Sequence, residues 1–294
     1  MPADSSAPSP KESRIAIGPV SLFAREVGAG PPIVVLHGIP FDHRYLLPEM
    51  DGLAESHRLV YYDQRGRGRS GEGVRPQDVS IRSDLEDLER VLDHFGLTDP
   101  VLLGHSWGGL LALEFALHRP RRISRLVLMN PAPAAAADWT QLVSEMEVRL
   151  GPDWARLGHI EATPAYQRGD WEPEAQIQRI FFRHAFAGPG PLEAFIARVR
   201  GVYDPAVAVR SRAVAERLFG ETLSSPGYDL IPRLCEIRHP ALVIWSDHEL
   251  VPRRAIERIV QGLPNARLTT IEKCGHFPYM EQPEVLRRIL AAFL

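Results

Sequence analysis

The sequence predicts an α/β protein: a mostly parallel, doubly wound sheet with a helical cap inserted after its sixth strand. Short runs with apolar residues on both faces, "IVVLHG", "PVLLGHS", "ISRLVLMN" and "PALVIW", recur along the chain. Such strands belong to parallel sheets covered by helices. Helical stretches separate them, the alternation of a doubly wound fold. Between about Pro133 and Tyr228 that alternation stops and only helical periodicity remains.

Each element follows from its local pattern. The start, "MPADSSAPSPKES", is small, polar and proline-rich, so residues 1–13 are expected to form a disordered tail. Two strand-like runs, "RIAIG" and "VSLFAREV", lead into the turn "GAGPP", after which come "IVVLHG" and "RLVYYD". In "SDLEDLERVLDHFG", Ser83 and Glu86 have capping-box spacing. Leu85, Leu88, Val91, Leu92 and Phe95 make one apolar stripe, and Gly96 ends the helix. "PVLLGHS", the helical run "LLALEFALHRP" and "ISRLVLMN" complete the first part of a core over residues 14–132. The cap, 133–228, carries Trp139, Trp154, Trp171, Tyr166 and "RIFFRHAF". The core resumes over 229–294 with "PALVIW", "ARLTTIE" and a last helix, "PEVLRRILAAFL".

At 294 residues the chain suits one α/β domain with an insertion. Its 34 basic and 37 acidic residues leave a formal charge of −3, which gives no electrostatic footprint for nucleic acid or an acidic membrane. Its expected partner is a small molecule. Two cysteines, Cys235 and Cys274, indicate neither a disulfide framework nor a clustered zinc site. No apolar run approaches the roughly 20 residues of a membrane-spanning helix. A reduced, cytoplasmic setting is expected, and the sequence is silent on oligomeric state.

The strongest chemical signal is "GHSWGG", residues 104–109, which fits G-x-S-x-G between an apolar strand and a helix. A nucleophile on that sharp turn needs small neighbours, supplied by Gly104 and Gly108, and Ser106 then sits near a helix N-terminus that favours developing negative charge. A Rossmann dinucleotide turn is not expected, because "GHSWGG" does not fit G-x-G-x-x-G and "GRGRSGEG" does not directly precede a helix. A serine hydroxyl needs a base. His276 in "CGHFP", between the last strand and the last helix, lies at the same sheet edge. Of the other histidines, His37 and His105 read as bound to their own turns, and His43 and His184 as pocket candidates. The Trp107 N–H and, in "LHGIP", the Ile39 N–H are the expected oxyanion donors. The loop "DQRGRGRS" reads as a buried bend around Asp63, with Arg65 pairing locally.

In order along the chain, "LHGIP", "YYDQRGRGRS", "GHSWGG" and "CGHFPYMEQPE" resemble the α/β-hydrolase superfamily over nearly the whole sequence after residue 13. "DQRGRGRS" and the tryptophan after the nucleophile are similar to proline iminopeptidases, although those usually read HGGPG where this chain has "HGIPF". The superfamily resemblance implies the order nucleophile, acid, histidine, which places the acid in "VIWSDHELVP". Both Asp247 and Glu249 qualify. Superfamily members often read W-G-D-x-D, three residues, then proline; here Pro252 arrives one residue early after Glu249. A shortened loop matched by a longer acid favours Glu249, with Asp247 bracing the loop.

Taken together, the expectation is a serine hydrolase cleaving a small ester or amide through an acyl-enzyme, with Ser106, Glu249 and His276 as its triad and no metal or organic cofactor. A prolyl aminopeptidase, with cap glutamates such as Glu145, Glu147, Glu172 or Glu216 on the substrate amine, is the alternative enzyme. A non-catalytic ligand-binding homologue is the alternative of another class.

Overall fold

In the computed structural model, which describes residues 9–294, eight strands form one sheet: β1 (Lys11–Ile17), β2 (Val20–Val27), β3 (Pro32–Leu36), β4 (Arg58–Tyr62), β5 (Val101–His105), β6 (Arg125–Met129), β7 (Ala241–Ser246) and β8 (Ala266–Ile271). Their spatial order is β1-β2-β4-β3-β5-β6-β7-β8. The first two strands run antiparallel to their neighbours, and β3 to β8 are parallel throughout. The continuous apolar runs occupy the centre: Ile33, Val34, Leu102, Leu103, Leu126, Val127, Leu242 and Val243 are fully buried. Helices on both faces exclude water from them, which is why those strands do not alternate.

The span 1–13 expected as a tail overlaps β1. Lys11, Glu12 and Ser13 belong to β1, paired with Glu26, Arg25 and Ala24, while residues 1–8 lie outside the described residues. An edge strand satisfies its backbone on one side and can leave polar side chains in water, so its composition resembles that of a tail.

α1 (Ile81–His94) starts one turn before the expected box. Ser80 is its N-cap: Ser80 Oγ accepts the Ser83 N–H at 3.1 Å and the Ser80 N–H donates to Ser83 Oγ at 2.9 Å. A serine at the third helical position thus does the work expected of Glu86. Gly96, at φ 63°, ends the helix in the left-handed conformation. α2 (Trp107–His118) is buried from Trp107 to Leu117 and runs through the core.

Between β6 and β7 lie six helices: α3 (Ala136–Leu150), α4 (Pro152–Glu161), α5 (Pro164–Gln167), α6 (Trp171–Phe182), α7 (Pro189–Gly201) and α8 (Pro205–Glu221). The two ends of this insertion are held by an antiparallel bridge between Ala135 and Asp229. The chain closes with α9 (Arg253–Gly262), α10 (Pro278–Glu281) and α11 (Pro283–Ala291). The insertion docks through aromatics: Phe277, just after His276, lies 4.5 Å from Phe195 and 4.8 Å from Phe186 between ring centroids.

The bend "DQRGRGRS" is buried around Asp63, which accepts from His43 Nδ1 at 2.7 Å and from the Arg69 N–H at 2.8 Å. Arg65 does not pair locally. It reaches Asp87 on α1, with bonds of 2.5 and 2.8 Å, and so ties the bend to a helix residue 22 positions away.

Candidate active site

Ser106 sits at the β5–α2 turn with φ 56° and ψ −121°, a conformation that a non-glycine residue holds only when its surroundings impose it. The neighbours do impose it. The Ser106 N–H donates to Met129 O at 3.2 Å, and its carbonyl accepts from Gly109 and Ala132 N–H groups at 2.9 and 3.0 Å. A side chain on Gly104 would overlap the Gly108 carbonyl, and one on Gly108 would overlap Leu36 O. The crowding that G-x-S-x-G accommodates is therefore between the turn and the end of β3.

The loop after β3 presses on the same turn: a Cβ on Gly38 would lie 3.2 Å from Ser106 Cβ. Ile39, Ser106, Trp107, Glu249 and His276 all line one cavity of about 260 Å³. Most of its wall is apolar, including Phe41, Trp139, Phe181, Phe182, Phe219 and Leu250. Trp154 and Trp171 are not on this wall; they pack against the core cluster.

Glu249 is buried, and its two carboxylate oxygens lie 2.8 and 2.9 Å from His276 Nδ1. Oε1 also accepts the Leu250 and Val251 N–H groups at 2.7 and 3.1 Å, so the two residues of the shortened loop hold the acid in place. Asp247 points to a different partner set. It accepts from the Lys273 and Cys274 N–H groups at 2.9 and 3.0 Å and from His248 Nδ1 at 2.7 Å. Burial pushes its carboxyl up, but the bonds from His248, Cys274 and Lys273 outweigh that and hold it below the ordinary aspartate range. Asp247 thus straps the β7 loop to the loop that carries His276.

Among the described residues Ser106 Oγ makes no hydrogen bond to His276; the cavity relates them. Such contacts commonly tighten only when substrate binds.

Three further residues fix the imidazole loop, and the sequence reading missed their part. His105 is not confined to its own turn: its Nε2 lies 2.7 Å from the His276 carbonyl and its Nδ1 2.5 Å from Tyr45 Oη. Burial, then the neighbouring His276, hold its pKa well below the histidine value, so the ring is neutral. Nε2–H donates, Nδ1 accepts from the phenol, and Tyr45 Oη in turn accepts the Gly38 N–H at 2.8 Å. One chain of bonds therefore joins the β3 loop, the Ser106 turn and the histidine loop. Asn130, with φ 41°, donates to Ser246 Oγ, Gly275 O and His276 O at 3.0, 3.1 and 3.2 Å. Glu281 accepts the Gly275 and Ala187 N–H groups at 2.8 Å each, and the His276 N–H donates to Ala185 O at 2.6 Å. The insertion is thereby bonded directly to the histidine loop. The one available signal was "GHSWGG" itself, which places a histidine beside the serine.

The two pocket-candidate histidines lie elsewhere: His43 is buried against Asp63, and His184 accepts from its neighbour Arg183 at 3.0 Å. Glu145, Glu147, Glu172 and Glu216 are not on the cavity wall; the acid there from the insertion is Glu174. Asp42, His43 and Asp63 bring three possible ligand atoms within 4.8 Å. Arg44 pairs with Asp42 at 2.6 Å and His43 with Asp63, so the cluster is internally satisfied. No helix among the described residues is long and apolar enough to cross a membrane.

A family model described as the alpha/beta hydrolase fold matches residues 31–283. A protein named RutD, a candidate carbamate hydrolase, from Caulobacter segnis is 28% identical over 274 residues, covering 90% of this chain and 92% of that one. A proline iminopeptidase from Clostridium botulinum is 25% identical over 269 residues, covering 91% and 90%. The crystal structure of a proline iminopeptidase from Mycobacterium smegmatis shares the fold with a TM-score of 0.74 at 21% identity, covering 96% of this chain and 97% of that one. With the sheet order, the serine turn and this match in agreement, the chain belongs to the α/β-hydrolase fold family.

Proposed function

We propose that this protein is a serine hydrolase that cleaves a carboxylic ester or amide of a small, largely apolar substrate through an acyl-enzyme. The observation that carries the reading is the buried Glu249–His276 pair, bonded at 2.8 and 2.9 Å, opening onto the same cavity as Ser106 on its strained turn. In the first half-reaction His276 Nε2 takes the Ser106 proton as Oγ attacks the carbonyl carbon, and Glu249 stabilises the imidazolium. The Ile39 and Trp107 N–H groups hold the oxyanion. His276 then gives the proton to the leaving oxygen or nitrogen as that bond breaks. Water attacks the acyl-Ser106, loses its proton to His276, and the returned proton frees Ser106 and the carboxylic acid.

The curated relatives and the family support a hydrolase of small substrates. Release of N-terminal proline is the second reading, favoured by the resemblance of "DQRGRGRS" and by the Clostridium botulinum relative. Against it, the cavity acid of the insertion, Glu174, is paired with Arg212 at 2.8 Å and is not free for a substrate ammonium. Hydrolysis of p-nitrophenyl butyrate and of proline p-nitroanilide separates them: the ester should have the higher kcat/KM. A clear preference for the anilide installs the second reading, and turnover of both unchanged in Ser106→Ala removes the serine mechanism.

A further inference from the structure

Most polar groups on the cavity wall are already partnered, Tyr45 with His105 and Glu249 with His276. Gln178 of α6 differs. It is only 4% exposed and lines the cavity, yet its Oε1 has no hydrogen-bond partner among the described residues. Chemistry dictates which end of the amide is left over. Nε2 lies 3.1 Å from Glu174 Oε1, and a carboxylate only accepts, so nitrogen faces Glu174 and oxygen remains free.

The rest of this polar group is neutralised. Arg212 NH1 donates to Glu174 Oε2 at 2.8 Å, NH2 donates to Tyr166 O at 2.7 Å, and the guanidinium carbon lies 3.9 Å from the Tyr166 ring centroid. Paired charges leave the insertion's side of the cavity with an uncharged acceptor rather than an open anion. A second buried orphan on the same wall is Trp107 Nε1, a donor. An acceptor and a donor, each costly to leave unpaired, are complementary in kind to the N–H and C=O of a secondary amide.

We propose that Gln178 Oε1 reads an N–H of the substrate, and that the substrate's acyl group carries an uncharged secondary amide whose carbonyl takes the Trp107 indole N–H. This rests on the serine-hydrolase reading and adds the substrate class. Gln178 also borders a smaller cavity of about 70 Å³, where Ser211 Oγ is buried without a partner. Water held there is the rival partner for Oε1.

The test is a pair of esters differing by one group, p-nitrophenyl N-acetyl-β-alaninate and p-nitrophenyl 5-oxohexanoate, in which a methylene replaces the N–H. With each rate normalised to its uncatalysed hydrolysis, wild type should favour the amide at least about tenfold in kcat/KM. Gln178→Leu should bring the ratio to about one. Because both rates come from one preparation, the ratio is independent of how much of the variant folds. A ratio near one in wild type, or a preference that survives Gln178→Leu, overturns the proposal. Should neither ester turn over, the serine-hydrolase reading fails separately, and binding decides the Gln178 claim. N-propylacetamide should then quench tryptophan fluorescence at about one-tenth the concentration that 2-hexanone requires in wild type, and not in Gln178→Leu. Equal affinities in wild type overturn it.

Discussion

Glu249 and His276 are bonded through both carboxylate oxygens, at 2.8 and 2.9 Å from Nδ1, while Asp247, two residues earlier, spends its oxygens on the backbone of the loop bearing His276. The two acids are thus separated by task, one facing the ring and the other the chain that presents it. Glu249→Ala should lower kcat by roughly 10³–10⁴-fold with a small change in KM, the pattern of a lost triad acid. Asp247→Ala should cost stability, about 1–3 kcal/mol for two orphaned N–H groups, and far less in kcat. Steady-state kinetics and urea unfolding of the pair check this. Loss of turnover in Asp247→Ala with Glu249→Ala near wild type reverses the assignment.

Tyr45 connects two walls of the site. Tyr45→Phe removes the acceptor of the buried Gly38 N–H and the donor to His105 Nδ1 at once. Stability should fall by about 1–3 kcal/mol. Because the Gly38–Ile39 backbone loses an anchor and the His105 ring that holds the His276 carbonyl loses its own, kcat should fall by about tenfold or more at saturating ester. Unchanged kcat in a destabilised variant would show that the bond chain supports the fold alone.

Glycine at 108 is a packing requirement. Gly108→Ala places a methyl on the Leu36 carbonyl, a backbone atom that cannot rotate away. The variant should lose about 3 kcal/mol or more in urea unfolding, or fail to fold. Gly220→Ala, at a helical site with nothing within 4 Å of the added Cβ, is the contrasting control and should be neutral or slightly stabilising.

Two buried imidazoles make stability pH-dependent. Burial holds His37 at about 4, with its Nε2 accepting the Gln64 N–H at 3.0 Å, and His105 is held lower than the ordinary histidine value for the same first cause. The unfolded chain binds these protons near pH 6.5, the folded chain only at lower pH. Stability from His37 is therefore complete above about 6.5 and lost as pH falls towards about 4, with a slope of roughly 1.4 kcal/mol per pH unit per group. Urea midpoints of wild type and His37→Gln between pH 7 and 4 check it: the variant should show the shallower decline.

Sequence periodicity exposed the sheet because β3 to β7 are buried along nearly their whole length, so their side chains are apolar on both faces. It missed the start of β1, where the exposed edge leaves Lys11 and Glu12 in water. The place of Ser106 was legible for a related reason: a turn that forbids a Cβ at Gly104 and Gly108 leaves glycine as a visible mark. The shortened spacing from Glu249 to Pro252 left a mark as well. The supports of His276 left none. Asn130, His105 and Glu281 act through contacts that span 146, 171 and 6 residues, with no repeating pattern to link them. Glu174 stayed hidden among the many acids of the insertion, because only folding pairs it with Arg212, 38 residues on.

The most direct test of the account is labelling by a fluorophosphonate, which reacts with an activated serine. Wild type should be labelled at Ser106, identified by peptide mass. Labelling should vanish in Ser106→Ala and slow by roughly 10³-fold or more in Glu249→Ala. No labelling of folded wild type, or labelling that persists in Ser106→Ala, contradicts the serine nucleophile.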